Sequence, residues 1–233
     1  MRRIALLTLA LALAAPAFAQ EAAIRKNIAE RLPNFPKIDE VSKTPIPGLF
    51  EVRAGTEVFY TDEQGNYVIE GHVIDTRTRV NLTQARIDKL TQIDVAKLPL
   101  KDAIVWKQGS GERKLVVFAD PNCGYCKRFE RDLQKVDNVT VYLFLYPILS
   151  QDSTDKSRNI WCAKDKAKAW LDWMVRDQAP AAASCDATAL TRNIEFGRKH
   201  KITGTPTLIF ADGSRVPGAI NSQQVEKFLA EAR

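Results

Sequence analysis

Leu115-Val116-Val117-Phe118-Ala119-Asp120-Pro121-Asn122-Cys123-Gly124-Tyr125-Cys126-Lys127-Arg128-Phe129 is the stretch that decides the fold. The run from Leu115 to Phe118 is apolar and rich in β-branched residues, so it reads as a buried strand, and Asp120-Pro121-Asn122 ends it in a turn. From Cys126 to Gln134, Phe129 and Leu133 recur at helical spacing among charged residues, which places both cysteines where a helix begins.

A helix start presents backbone N–H groups without intrahelical partners and the positive end of the dipole; both favour a thiolate at Cys123. An ordinary cysteine, with a pKa of about 8.5, is only a few per cent ionised at pH 7, and a drop of roughly two units makes most of it the form that attacks disulfides. Gly124 and Tyr125 set the second thiol one helical turn on, so Cys123 reads as attacker and Cys126 as resolver. No histidine lies between them, so the helix start has to supply most of the stabilisation. Lys127 is left open as a helper, and Arg128 reads as a solvated helix residue. A buried Cys123 sulfur, or one titrating like a free cysteine, would remove this chemistry.

A Cys-x-x-Cys pair also serves as half a zinc site or as a structural cross-link. Zinc wants a second close pair of ligands, whereas Cys162 and Cys185 stand far apart and the only histidines are His72 and His200. No metal and no cofactor is expected.

At the start of the chain, Arg2 and Arg3 precede the apolar segment Ile4–Ala15, and Ala17-Phe18-Ala19 offers the small residues of a cleavage site. Residues 1–19 read as a signal peptide, leaving a mature chain from near Gln20, with an uncleaved anchor as the alternative. The segment is short for a span and no second apolar run follows, so no stable membrane insertion is expected. An even set of four cysteines suits export to an oxidising compartment. Without Arg2 and Arg3 the net charge falls from +6 to +4. The charges are interspersed, which argues against nucleic acid as a partner.

Residues 20–80 carry a short helix, Ala22 to Leu32, stopped by Pro33 and Pro36. Beyond Pro47 the period changes to two: Leu49, Val52, Val58, Tyr60, Tyr67, Ile69 and Val73, with turns at Gly55 and Asp62 to Asn66, predict an antiparallel meander. A module of this size buries only about 60% of its unfolded surface and gains from pairing with a second copy. In residues 81–100, Asn81-Leu82-Thr83 caps a helix over Gln84–Lys97 with a stripe of Ile87, Leu90 and Ile93. It reads as a connecting helix, or else as an ordinary surface helix of one domain.

Residues 101–233 then run from the strand Ile104–Trp106 through the cysteine-bearing helix to the apolar strand Val139–Tyr146, a βαβ unit. Helical insertions over Asp155–Trp173 and Thr188–His200 follow, then the strand Thr207–Phe210 and a closing helix lined by Val225, Phe228 and Leu229. Trp161, Trp170 and Trp173 read as core fillers, and His200 as a surface residue near a helix end.

The cysteine turn, together with Ile160-Trp161-Cys162-Ala163-Lys164-Asp165-Lys166-Ala167-Lys168-Ala169, Ala183-Ser184-Cys185-Asp186 and Gly204-Thr205-Pro206-Thr207, resembles the thioredoxin-fold DsbC/DsbG family of bacterial periplasmic disulfide isomerases. The likeness spans nearly the whole mature chain, is strongest from Leu115 to Gly218, and its four-cysteine pattern is closer to the DsbC branch. It implies an α+β fold: a small N-terminal β-rich, cystatin-like dimerisation domain, a linker helix, and a C-terminal thioredoxin-like α/β domain with a helical insertion.

The same resemblance implies that Cys123 and Cys126 are the redox pair, that Cys162 and Cys185 form a structural disulfide, and that Pro206 is a cis-proline. Thr205 and Pro206 would then hold an extended substrate segment; Tyr125, at the exposed helix start, is read from its position as a further substrate contact. The alternative for Cys162 and Cys185 is two buried free thiols, and for Gly204 and Pro206 plain punctuation before a strand. The family further implies a V-shaped homodimer in the periplasm of a Gram-negative bacterium, misoxidised exported proteins as substrates, accompanying chaperone activity, and a membrane reductase of DsbD type. A DsbA-like oxidase, a DsbG-like reductase and a dimeric holdase are the rival readings.

Overall fold

The computed structural model describes residues 15–232, and the chain divides after Leu90 into two units. Residues 1–14 of the expected signal peptide lie outside the described part. In the first unit, helix α1 (Ala15–Arg31) begins earlier than the predicted Ala22 and stops before Pro33. Strands β1 (Glu40–Lys43), β2 (Leu49–Ala54), β3 (Glu57–Asp62) and β4 (Val68–Ile69) follow as an antiparallel sheet in that order. Ile24 and Ile28, one helical turn apart, pack on Phe50 and Val52 of β2, closing a core completed by Phe35, Phe59 and Val68.

Two features depart from the predicted meander. β1 has no apolar run to announce it; Arg53 of β2 holds it through Glu40, at 2.9 Å. In β4 the alternation is out of step with prediction: Val68 packs inward, whereas Tyr67 and Ile69 are 72% and 50% exposed. The Asp62 carboxylate fixes that phase by accepting the N–H groups of Asn66 at 2.6 Å and Tyr67 at 3.3 Å, and a one-residue offset exchanges the two faces of a strand.

A small hairpin of β5 (Ile74–Asp75) and β6 (Val80–Asn81) leads into α2 (Leu82–Leu90). The expected helix over Gln84–Lys97 is therefore cut short. Asn81 does cap it, accepting the Gln84 N–H at 2.9 Å. Past Leu90, however, Ile93 leaves the helical path to bury itself in the second unit, its N–H bonded to the Gly213 carbonyl at 3.0 Å. Only a 3-10 turn, Val95–Lys97, resumes beyond it, capped by Asp94.

The second unit comprises β7 (Ile104–Gln108), β8 (Arg113–Ala119), α3 (Gly124–Leu133), β9 (Val139–Leu145), α4 (Gln151–Trp161), α5 (Lys166–Arg176), α6 (Thr188–Lys199), β10 (Thr207–Phe210), β11 (Arg215–Pro217) and α7 (Ser222–Glu231). The sheet runs β11-β10-β8-β9-β7. β8 and β9 pair in parallel around the α3 crossover, and the other pairings are antiparallel. β8 reads as continuously apolar because both of its faces are covered: Leu115, Val117 and Ala119 face the core shared with α3, α5 and α7, and Val116 and Phe118 face a second core with Ile93, Leu98 and Phe196.

The insertion predicted over Asp155–Trp173 is two helices. Cys162 caps the end of α4, and the Asp165 side chain starts α5 by accepting the Lys168 N–H at 2.9 Å. No helix among the described residues is long and apolar enough to cross a membrane.

Candidate active site

Asp120 builds the turn that carries the cysteines. Its buried carboxylate accepts the N–H of Asn122 at 2.8 Å and those of Ile148 and Leu149 at 2.9 and 3.0 Å, and its carbonyl accepts the Cys123 N–H at 3.1 Å. The end of β8 is thus bolted to the segment that follows β9. A second bolt comes from the insertion: the Trp173 indole N–H donates to the Pro121 carbonyl at 2.6 Å.

Cys123 occupies the N-cap of α3, with extended backbone (φ −78°, ψ 115°). Its sulfur accepts the Cys126 N–H at 3.4 Å, as a capping side chain does, and the thiol donates to the Thr205 carbonyl at 3.2 Å. A hydrogen bond from the Cys126 thiol, helped by the Thr205 side chain and the N–H groups of Cys126 and Tyr125, outweighs burial and holds the Cys123 thiol down at about 5. Cys126 moves the opposite way: burial first, then the hydrogen bond and negative charge of Cys123, push its thiol far above the ordinary range. One sulfur is ionised at neutral pH and the other keeps its proton.

The requirement for an open attacking sulfur needs correction. Cys123 is 6% exposed and Cys126 is fully covered. The Thr205 carbonyl, on the segment before β10, lies against the Cys123 sulfur at 3.2 Å, while Gly124 and Tyr125 beside it are exposed, Tyr125 at 63%. The Thr205–Pro206 peptide bond is cis.

The structure therefore gathers Cys123, Cys126 and Thr205 at one point, with Pro206 adjoining and Tyr125 on the rim. Cys162 and Cys185 lie apart from it, joined by a 2.05 Å S–S bond that ties the end of α4 to the segment before α6. His200 caps α6, stacked on Phe196 at 4.2 Å.

Lys127 is committed elsewhere: its ammonium pairs with Asp177 at 2.6 Å and lies 3.7 Å over the Trp173 ring. Hydrogen bonds from the Cys126 thiol and the cap N–H groups, not a neighbouring cation, therefore stabilise the Cys123 thiolate. Arg128 is exposed and lies 5.2 Å over the Tyr125 ring. Sequence reasoning gave Asp120 and Trp173 no part in the site. Asp120 reads as turn punctuation, and its partners at 148 and 149 are remote in sequence; Trp173 reads as core, and nothing in its own helix points to Pro121.

Residues 15–84 match the family model described as the disulfide bond isomerase protein N-terminal domain, and residues 100–233 match a thioredoxin-like domain. The chain is 47% identical over 210 residues to the probable thiol:disulfide interchange protein DsbC of Bordetella pertussis, covering 90% of this chain and 74% of the relative. It is 29% identical over 232 residues to the thiol:disulfide interchange protein DsbC of Escherichia coli K12, covering 97% and 94%. Among solved structures, a disulfide interchange protein from Neisseria gonorrhoeae superposes with a TM-score of 0.56 at 36% identity, over 58% of this chain and 98% of its own.

Proposed function

The chain belongs to the DsbC family of thiol-disulfide isomerases and reductases, and from that premise we propose that Cys123 and Cys126 are its working dithiol and that misoxidised exported proteins are its substrates. The observation that carries this reading is the pair of opposed environments, a capped sulfur held at about 5 beside a buried thiol pushed upward.

The Cys123 thiolate attacks one sulfur of a wrong substrate disulfide. The Cys123–substrate S–S bond forms as the substrate's own S–S bond breaks, and the electron pair leaves on the other substrate sulfur. That freed thiolate can then attack a different disulfide, and when the last substrate sulfur displaces Cys123 the enzyme is again reduced: isomerisation with no net electron transfer. Where rearrangement stalls, Cys126 attacks Cys123 instead, the substrate leaves as a dithiol, and the enzyme is left oxidised. A reductant must then restore it, and we assign that role to a membrane reductase of DsbD type.

Thr205 supports the docking of an extended chain. Once Cys123 is ionised it no longer donates to the Thr205 carbonyl, which becomes free to accept a substrate N–H in strand-like pairing beside Pro206. The same carbonyl that lies against the sulfur thereby directs how a substrate approaches it, with the exposed Tyr125 ring as a second contact. The Cys162–Cys185 bridge serves as a structural staple of the insertion.

For the whole molecule we propose a homodimer joined through the N-terminal units, working in the periplasm after removal of residues 1–19, with domain limits of 20–80, 81–100 and 101–233 and with chaperone activity beside the redox chemistry. The exposed Tyr67, just before the edge strand β4, and Ile69 on it support pairing through this unit, because an unpaired edge with apolar side chains invites a partner.

Trapping free thiols in the exported protein tests the reading. An isomerase rests reduced, so two thiols, Cys123 and Cys126, should be alkylated while Cys162 and Cys185 stay joined. A resting state with all four cysteines oxidised would make the chain an oxidase.

A further inference from the structure

Glu130 is a buried acid with a vacant oxygen one helical turn beyond Cys126. Both residues are fully covered. At a spacing of four residues they share one face of α3, and helical side chains lean toward the N-terminus, which carries the Glu130 carboxyl back toward the Cys126 turn. Its Oε1 accepts the Trp170 indole N–H at 2.9 Å, whereas Oε2 has no hydrogen-bond partner. A buried carboxylate oxygen left unpaired is rare enough in a folded protein to need a reason.

The resolving step supplies one. Cys126 must lose its proton before it can attack, and its covered position and upward-shifted thiol leave no easy route to solvent. We propose that Glu130 is the proton acceptor of that step. As Cys126 attacks, its S–H proton passes to the Glu130 carboxylate. The Cys123–Cys126 S–S bond then forms while the Cys123–substrate S–S bond breaks, and the electron pair departs on the substrate sulfur. When the disulfide is reduced again, the protonated Glu130 returns the proton to the Cys126 sulfur.

The surroundings suit a group that must change charge near neutrality. Burial, opposed only by the Trp170 indole, pushes the Glu130 carboxyl up to about 7. The nearby cations of α3, Lys127 and Arg131, are paired with Asp177 beyond the end of α5. Met174, Val225, Leu229, Val117 and Leu143 belong to the same buried apolar core as Cys126, Phe129 and Leu133 of α3.

This inference rests on Cys123 and Cys126 being the working pair, and one experiment separates the two claims. The reduced full-length chain is mixed with dithio-bis-nitrobenzoate in a stopped-flow instrument between about pH 5 and pH 9. The first coloured thiolate reports attack by Cys123 and the second reports resolution by Cys126. In the unaltered chain the second release should climb with pH and level off once Glu130 is ionised. Glu130→Gln keeps an oxygen for Trp170 but accepts no proton; its second release should slow on the order of 10²-fold at neutral pH and lose the plateau. A second release unchanged in rate and pH profile would overturn the role of Glu130. A first release absent from the unaltered chain would sink the Cys123 assignment instead.

Should Glu130→Gln fail to fold, carbon-13 labelling of the glutamates in the unaltered chain decides. The Glu130 carboxyl signal should titrate near neutral pH with a midpoint that differs between the dithiol and disulfide forms. The same midpoint in both forms would overturn the proposal.

Discussion

Cys123→Ala leaves both units folded and reduces the refolding of scrambled-disulfide substrates to the rate of uncatalysed exchange. The loss is total because no other thiolate is poised: Cys126 is covered and its thiol is shifted upward, and Cys162 and Cys185 are tied to each other. The variant stays folded but should melt below the native reduced chain at neutral pH, because it gives up the stability that the lowered Cys123 thiol contributes there. The substitution removes a sulfur cap from α3, and losing a weak side-chain cap costs about 1 kcal/mol. Suppression of substrate aggregation, measured on the same variant, separates the two activities. If aggregation is still suppressed while rearrangement is lost, gripping unfolded chains and exchanging their disulfides are distinct properties of one molecule. If rearrangement persists, the dithiol is not the engine and a holdase reading takes its place.

Replacing Cys162 and Cys185 together with serine should lower stability by about 3 kcal/mol on the chain-entropy account, since the two are 23 residues apart. For a domain of this size that is a fall of roughly 10 °C in the thermal midpoint. The consequence reaches the active site through two tryptophans. α5 follows the bridge directly, and it sends Trp170 to Glu130 and Trp173 to Pro121. Calorimetry should show the lowered midpoint, and rearrangement activity should fade at temperatures where the native chain is unaffected. A double-serine variant that melts where the native chain melts would remove the staple role.

The heart of this fold was legible in the sequence because local rules and tertiary structure agree there. The run from Leu115 to Phe118 has the composition of a strand covered on both faces, and Asp120-Pro121-Asn122 can only end it. The spacing of Cys126, Phe129 and Leu133 describes the buried face of α3. Where prediction and structure part, a contact distant in sequence decides. The stripe of Ile87, Leu90 and Ile93 fits one helix, yet Ile93 is claimed by the second unit's core and by the Gly213 carbonyl. Tyr67 and Ile69 fit an inward-facing strand until the Asp62 carboxylate sets the turn and sends Val68 inward instead.

The site divides in the same way. Its two sulfurs were evident from their spacing, and the Thr205-Pro206 segment only through family resemblance, because 79 residues separate Cys126 from Thr205 in the chain. Glu130 gave no sign of its burial. Among charged neighbours on a helix it reads as solvated, and only the packing of α5 shows that it points at Trp170.

Disulfide exchange at this site depends on one sulfur being ionised when its neighbour is not. A thiol value lowered in the folded, reduced chain is also a contribution to stability: it is fully present above the unfolded thiol's value of about 8.5 and is lost as pH falls through the folded value. The direct test is to titrate the reduced chain, with Cys162–Cys185 intact, by the ultraviolet absorbance of its thiolate. One sulfur should ionise with a midpoint of about 5, and the signal should vanish in Cys123→Ala. A first midpoint near 8.5, the value of an ordinary cysteine, would contradict the account.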